Sequence, residues 1–188
     1  MLRATTMMSG KEPRFHQDNA DVLVFTFKEG LLSAVAHDLK IRVTRFAIHI
    51  DEETKGIEAT FDPQSLRVVT AMKDGGEAHG AMSDSDRSKI EENIQDDVLH
   101  PRKFQQIRFV STSVEEDPQG TGYRVRGRLT LHGETRDVAF TSRSDGEGQV
   151  AEVKIHQPDF GIKPYSAMLG TLKIKPELLV RVALPGLL

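Results

Sequence analysis

"TGYRVRGRLTLHGETRDVAFTSR", residues 121–143, alternates apolar and polar residues on either side of a single turn. Tyr123, Val125, Gly127, Leu129 and Leu131 share one parity, and Arg124, Arg126 and Arg128 share the other. Period two sustained over a whole run marks a strand with one buried and one wet face. "HGET" (132–135) between two such runs is turn punctuation, so the stretch reads as an antiparallel hairpin.

The same pattern extends outward. "FQQIRFVSTSVEE" (104–116) precedes the hairpin across "DPQG" (117–120), and "QVAEVKIHQ" (149–157) follows it across "SDGEG" (144–148). A final strand carries Leu172, Ile174, Leu178, Val180, Val182 and Leu184 on one parity. Lys173, Lys175, Glu177 and Arg181 take the other. Towards the N-terminus "DVLVFTFK" (21–28) reads as a strand with Leu23, Phe25 and Phe27 on one face and Thr26 and Lys28 on the other. The connector "EGLLSAVAHD" (29–38) leads into "LKIRVTRFAIHID" (39–51), which has a phase slip. Ile41 and Val43 share one parity and Phe46, Ile48 and Ile50 the other, so an extra residue near Thr44-Arg45 predicts a β-bulge. "GIEATFD" (56–62) and "SLRVV" (65–69) continue the β pattern across Pro63.

One segment breaks the pattern. Residues 70–82, "TAMKDGGEAHGAM", read as a flexible interruption. Ser83-x-x-Asp86 then forms a capping box, and Ile90, Ile94 and Val98 recur every fourth residue behind it. His100-Pro101 closes this helix, residues 84–99, whose thin apolar stripe suits a lid or plug at one end of a β structure. Eight or so antiparallel strands, several near ten residues long, predict an all-β closed barrel; a sandwich is the second choice.

The whole chain fits one domain, residues 20–186, behind a loose N-terminal arm over 1–19. It has 188 residues, 38% hydrophobic and 28% charged, with a net charge of −3 and no cysteine. Interspersed charges offer no basic field for nucleic acid. The missing cysteine excludes disulfides, thiolate metal sites and cysteine nucleophiles. No run reaches the length of a membrane span, and the first residues lack the apolar core of an export signal. The chain as written is expected to be soluble and cytoplasmic, or periplasmic if a signal has been removed. A homodimer is compatible with the sequence.

The seven histidines show no metal-ligand spacing such as H-x-H or H-E-x-x-H. A metal cluster would need His37, His79 and His100 to meet from separate loops, so no metal is expected. No G-x-S-x-G elbow is present, and the glycines of "KDGGEAHG" miss the phosphate-loop and dinucleotide fingerprints. The apolar parity set carries the signal. Barrels of about eight strands are either filled by side chains or hold one ligand. Gly127, a glycine within an inward series, is read either as a gap facing a hollow interior or as a kink or barrel-closure glycine. His37-Asp38 sits where the connector meets a strand. Asp38 is read as a cap for local backbone N–H groups, with a head-group contact as the alternative.

"FQQIRFVSTSV", "GYRVRGRLTLHGETRDVAF" and "PDFGI", with the alternating terminal strand, resemble the YceI-like family over roughly residues 20–185. The resemblance implies a lipocalin-like antiparallel barrel whose elongated apolar tunnel binds a polyisoprenoid, quinone or fatty-acid-like lipid without catalysis. No cofactor is implied beyond that lipid. The implied lining takes Phe25 and Phe27 from the first strand, Leu32 from the connector, Ile48, and Phe109 from the strand before the hairpin. Val125, Gly127, Leu129 and Phe140 come from the hairpin, Ile155 from the next strand, and Ile174 and Val180 from the last. Phe160, Ile162, Tyr165 and Met168 fall near one end. Candidate head-group contacts are His37, Asp38, Arg45 and His100. The other readings are a metal-dependent hydrolase built on histidines and acids, and a packed barrel that binds a protein on its outer face.

Overall fold

The structure is a computed structural model and describes residues 15–29, 37–120, 122–146, 148–170 and 172–186. Its elements begin with β1 (Phe15–His16), β2 (Asp21–Lys28), β3 (Asp38–Val43), β4 (Phe46–Ile50), β5 (Ile57–Phe61), β6 (Leu66–Lys73) and β7 (Gly76–Ala78). Helix α1 (Asp84–Asn93) runs directly into a π-helical segment, Ile94–Leu99. Then come β8 (Ile107–Glu116), β9 (Tyr123–Leu131), β10 (Glu134–Asp145), β11 (Gly148–His156), β12 (Ser166–Ala167) and β13 (Leu172–Pro185). The strands pair antiparallel in the order β1-β4-β5-β8-β9-β10-β11-β13-β2-β3-β6-β7, with β12 on β13.

The described residues thus hold thirteen strands where about eight were expected. A corner explains much of the difference. The phase slip at Thr44-Arg45 separates β3 from β4, and Asp62–Ser65 separates β5 from β6 beside it. The Thr44 N–H donates to the Ser65 carbonyl at 3.0 Å, and the Asp62 N–H to that of Arg45 at 3.0 Å. So β3-β4 and β5-β6 are two long strands that turn the corner together, β3 pairing β6 and β4 pairing β5. With the short pieces β1, β7 and β12 set aside, eight long strands curl around a common interior.

Two other expectations change, and a third holds. The N-terminal arm ends sooner than residue 19, because Phe15 is 4% exposed and pairs with Ile48 through β1. The stretch 70–82 is largely ordered sheet: β6 and β7 form a hairpin about Asp74-Gly75, whose φ values of 52° and 80° suit a two-residue turn of matching twist. Thr70 and Ala71 are buried within it. The helix keeps its predicted limits, 84–99, and Ser83 and Asp86 form the reciprocal capping box. None of α1 is fully buried, as suits a lid rather than a core helix.

Beyond the lid, the His132-Gly133 turn joins β9 to β10 with φ values of 53° and 82°. The His132 ring packs tilted against Phe104 with centroids 4.0 Å apart, and His100 lies 5.6 Å from it. Burial lowers the His132 pKa from its ordinary value; nearby His100 and Lys103 act in the same direction, and a hydrogen bond to the Phe160 backbone opposes them. The unfolded chain therefore takes up this proton at a higher pH than the folded one. The His132 contribution is complete above about pH 6.5 and declines as pH falls from there through the folded-state pKa. Denaturant midpoints measured from about pH 7.5 down to about pH 5.5 should fall on acidification, less steeply in His132→Asn, which tolerates the left-handed backbone.

Candidate functional site

The inward faces of the long strands do not meet. They enclose a cavity of about 360 Å³, within the ~300–1,000 Å³ typical of small-molecule sites. The sheet lines it by alternation: Val22, Val24 and Thr26 from β2, Leu39, Ile41 and Val43 from β3, and Val153 and Ile155 from β11. From β13 come Leu172, Ile174, Leu178, Val180 and Val182, ten residue steps from first to last or about 33 Å of strand. Opposite them lie Ile107 and Phe109 from β8, Leu129 and Leu131 from β9, and Val138 and Phe140 from β10. The lid adds Ile90, Asn93, Ile94, Val98 and Leu99. The π-helical turn lets Ile94, Val98 and Leu99 all reach the cavity from one short segment, and such turns recur at functional sites.

No Lys, Arg, Asp or Glu lines the cavity among the described residues, and its polar side chains are Thr26, His37, Asn93, Gln157 and Tyr165. Register gathers all five towards one end. Thr26 sits beside Leu178 on β13 and Leu39 on β3, and Gln157 Nε2 donates to the Lys175 and Pro176 carbonyls at 3.1 and 3.3 Å. The Tyr165 carbonyl accepts from the Ile174 N–H, and Asn93 Nδ2 donates to Tyr165 Oη at 3.0 Å, tying lid to barrel. Thr26 Oγ1 is buried with no partner among the described residues. The other end, at Val22, Val43 and Val182, is wholly apolar.

Among the expected lining residues, the structure places Phe109, Leu129, Phe140, Ile155, Ile162, Tyr165, Ile174 and Val180 on the cavity. Ile48, Val125 and Phe160 are buried at 3%, 2% and 3% exposure but pack behind it. Leu32 lies outside the described residues. Phe25 and Phe27 require correction: β2 presents Val22, Val24 and Thr26 inward and these aromatics outward, Phe25 beside Lys40 and Leu179. Strand β2 is apolar on both faces, so parity alone could not assign its sides; the smaller side chains face in and keep the interior open. Met168 is also off the cavity, at 63% exposure.

The head-group candidates separate. His37 lines the cavity. Asp38 accepts the Lys28 N–H of the neighbouring β2 at 2.7 Å, ten residues away instead of within its own turn, and is not part of the lining. Arg45 is committed to the corner, its fork reaching Asp62 at 2.7 and 2.8 Å. His100 ends the π-helical segment with φ 46° and packs on His132. His79 lies against Glu77. Thus His37, His79 and His100 are not brought together, and no cluster with metal-site geometry occurs among the described residues.

The model of the YceI-like domain matches residues 16–184. The chain belongs to the YceI-like family. A UPF0312 protein of Shewanella oneidensis is 32% identical over 105 residues, 50% of this chain and 54% of that protein. A UPF0312 protein of Pseudomonas putida is 35% identical over 88 residues, 42% and 45% of the two chains. The chain spans about half the length of these curated relatives. Among solved structures, Burkholderia cenocepacia BcnA superposes with a TM-score of 0.60 at 16% identity, over 87% of this chain and 94% of that one. A polyisoprenoid binding domain from Saccharophagus degradans gives 0.53 at 12% identity, over 88% and 93%. These likenesses establish a lipocalin-like antiparallel barrel.

Within this YceI-like barrel Gly127 is neither a gap onto the cavity nor a left-handed kink. A Cβ built there would come within 2.5 Å of the Phe109 ring and of the Val110 carbonyl oxygen. Gly127 is empty so that the Phe109 ring can cross it and meet Phe140, centroids 5.7 Å apart. Gly127→Ala should therefore lower stability by about 1–3 kcal/mol, as overpacking does. Denaturant midpoints in the Phe109→Leu background should show a smaller loss, the Val110 contact alone remaining.

Proposed function

We propose that this protein binds, and carries or stores, a long-chain apolar molecule in the barrel, performing no chemical step on it. The observation that carries this reading is an open, elongated interior whose walls are apolar except at one end. Polyisoprenoids, quinones and fatty-acid-like lipids have that shape, and the Saccharophagus degradans domain with this fold is described as polyisoprenoid binding. Affinity would come from area, about 25 cal/mol per Å² of apolar surface buried, less the cost of ordering a flexible chain. The terminal-strand residues act as one wall of a tunnel, α1 and its π-helical turn as the lid. His37 and Thr26 stand where a ligand's polar group would fall.

Native mass spectrometry of the purified protein should show a long-chain adduct that organic extraction removes and offered lipid restores. Val180→Phe, which fills the cavity from β13, should abolish retention while leaving the stability of stripped protein unchanged or higher. A clean apo mass with no uptake of any long-chain lipid contradicts the proposal.

Thr26 offers a finer test. Its buried hydroxyl costs about 1–3 kcal/mol while it lacks a partner. Thr26→Val keeps the shape and removes that cost, so the stripped variant should melt higher than wild type. If a ligand's polar group meets the hydroxyl, the same variant should bind it several-fold more weakly, as a fluorescence titration would show.

A further inference from the structure

Met168 and Leu169, at 63% and 107% exposure, are the two large apolar side chains left exposed among the described residues. They form the turn between β12 and β13, with successive φ values of 52° and 55°, followed by Gly170 at 86°. Left-handed backbone is uncommon for such residues, and strain of this kind collects where a side chain must be held for a purpose. The arms of this turn belong to the cavity. Tyr165 precedes it, Leu172 and Ile174 follow it, and all three are half-buried cavity-lining residues, so the lining reaches the surface here.

Lysines surround the tip. Lys173 pairs across β12 with Ser166 and lies against Gly170, while Lys28 pairs with Ile174. Lys163 and Lys175 flank the same hairpin, and all four are exposed. None is in an ion pair with a described residue. The nearby acids Asp159 and Glu177 are engaged by His156, at 3.1 and 3.7 Å, leaving Asp38, which accepts the Lys28 N–H, and Glu29, whose N–H donates to the Lys173 carbonyl, as acids beside four lysines. Two projecting apolar side chains ringed by cations are complementary to a surface with buried hydrocarbon and anionic head groups.

We propose that the Ser166–Gly170 turn and its flanking lysines dock this protein on an anionic lipid bilayer, holding the polar end of the cavity against the membrane. Leu169 and Met168 enter the interface and the lysines bind the head groups. The contact stands on the tip alone; its use for loading or unloading the cavity rests on the proposed function.

Flotation with vesicles of phosphatidylglycerol and phosphatidylcholine in equal parts tests it, with pure phosphatidylcholine for comparison. Binding to the anionic vesicles should exceed that to the neutral ones by about tenfold or more at low salt and collapse at high salt. Leu169→Asp and Lys173→Glu should each reduce it several-fold with unchanged thermal midpoints, and Arg124→Glu, on the outer face of β9, should not. Absence of anionic-vesicle binding, or binding indifferent to both tip variants, overturns the proposal. So does self-association or capture of another protein through Leu169 without vesicle binding. Native mass spectrometry of Leu169→Asp separates the two readings: retained lipid with lost docking leaves the cavity intact, and docking by a protein that never takes up lipid leaves the tip intact while removing the proposed function.

Discussion

Ser65, wholly buried, holds the corner on which the barrel depends. Its hydroxyl donates to the Asp62 carbonyl at 2.8 Å and accepts the Arg45 N–H at 3.0 Å, while its own carbonyl takes the Thr44 N–H and hydroxyl. The Arg45–Asp62 ion pair closes the same corner from outside. A sheet that stayed flat here would expose one apolar face and leave β3 and β6 without an opposing wall. Because two strands bend together, the sheet wraps onto itself and its inward residues face one another across a space. Backbone groups freed at the bend are satisfied by Ser65 instead of by water, so the corner can lie inside the structure.

What that space can do follows from the size of the side chains facing it. The inward positions of β2, β3, β11 and β13 carry Val, Leu, Ile and one Thr, and aromatics face inward from β5, β8 and β10 as Phe61, Phe109 and Phe140. Valine walls on one side and a crossed pair of phenylalanines on the other leave an elongated interior unfilled. The lid closes it with a segment having no fully buried residue until Leu99, fastened by Asn93 to Tyr165 and by Glu91 to the Val68 N–H at 2.8 Å. Such a lid is held by few bonds and is the part of the molecule best suited to open.

Much of this was legible in the sequence, for identifiable reasons. β9 alternates strictly and β13 keeps most of its large apolar residues on one parity, Leu179 excepted, so their faces are legible, and the parity slip at Thr44-Arg45 locates the corner although it reads as a bulge. Ser83 and Asp86 announced the helix start because the capping box is a local interaction. The failures are equally physical. β2 is apolar on both sides and needed its neighbours to orient it. Residues 70–82 read as a loop because they take in only the end of β6, the Asp74-Gly75 turn and the three-residue β7, too little for a period of two to show. Gly127 was ambiguous in one dimension, since the Phe109 ring that fills it comes from β8, and the polar end is assembled from Thr26, His37, Asn93, Gln157 and Tyr165, which no spacing connects.

The central claim is that a long chain lies inside the barrel along β13. Methyl NMR of protein titrated with a fatty acid carrying a nitroxide at its chain end tests this directly. The account predicts that bound label broadens methyl signals of inward residues such as Val24, Val180 and Val182, while Leu179, on the outer face of the same strand, stays sharp. Broadening centred on Leu179, or no selective broadening at saturating lipid, would contradict it.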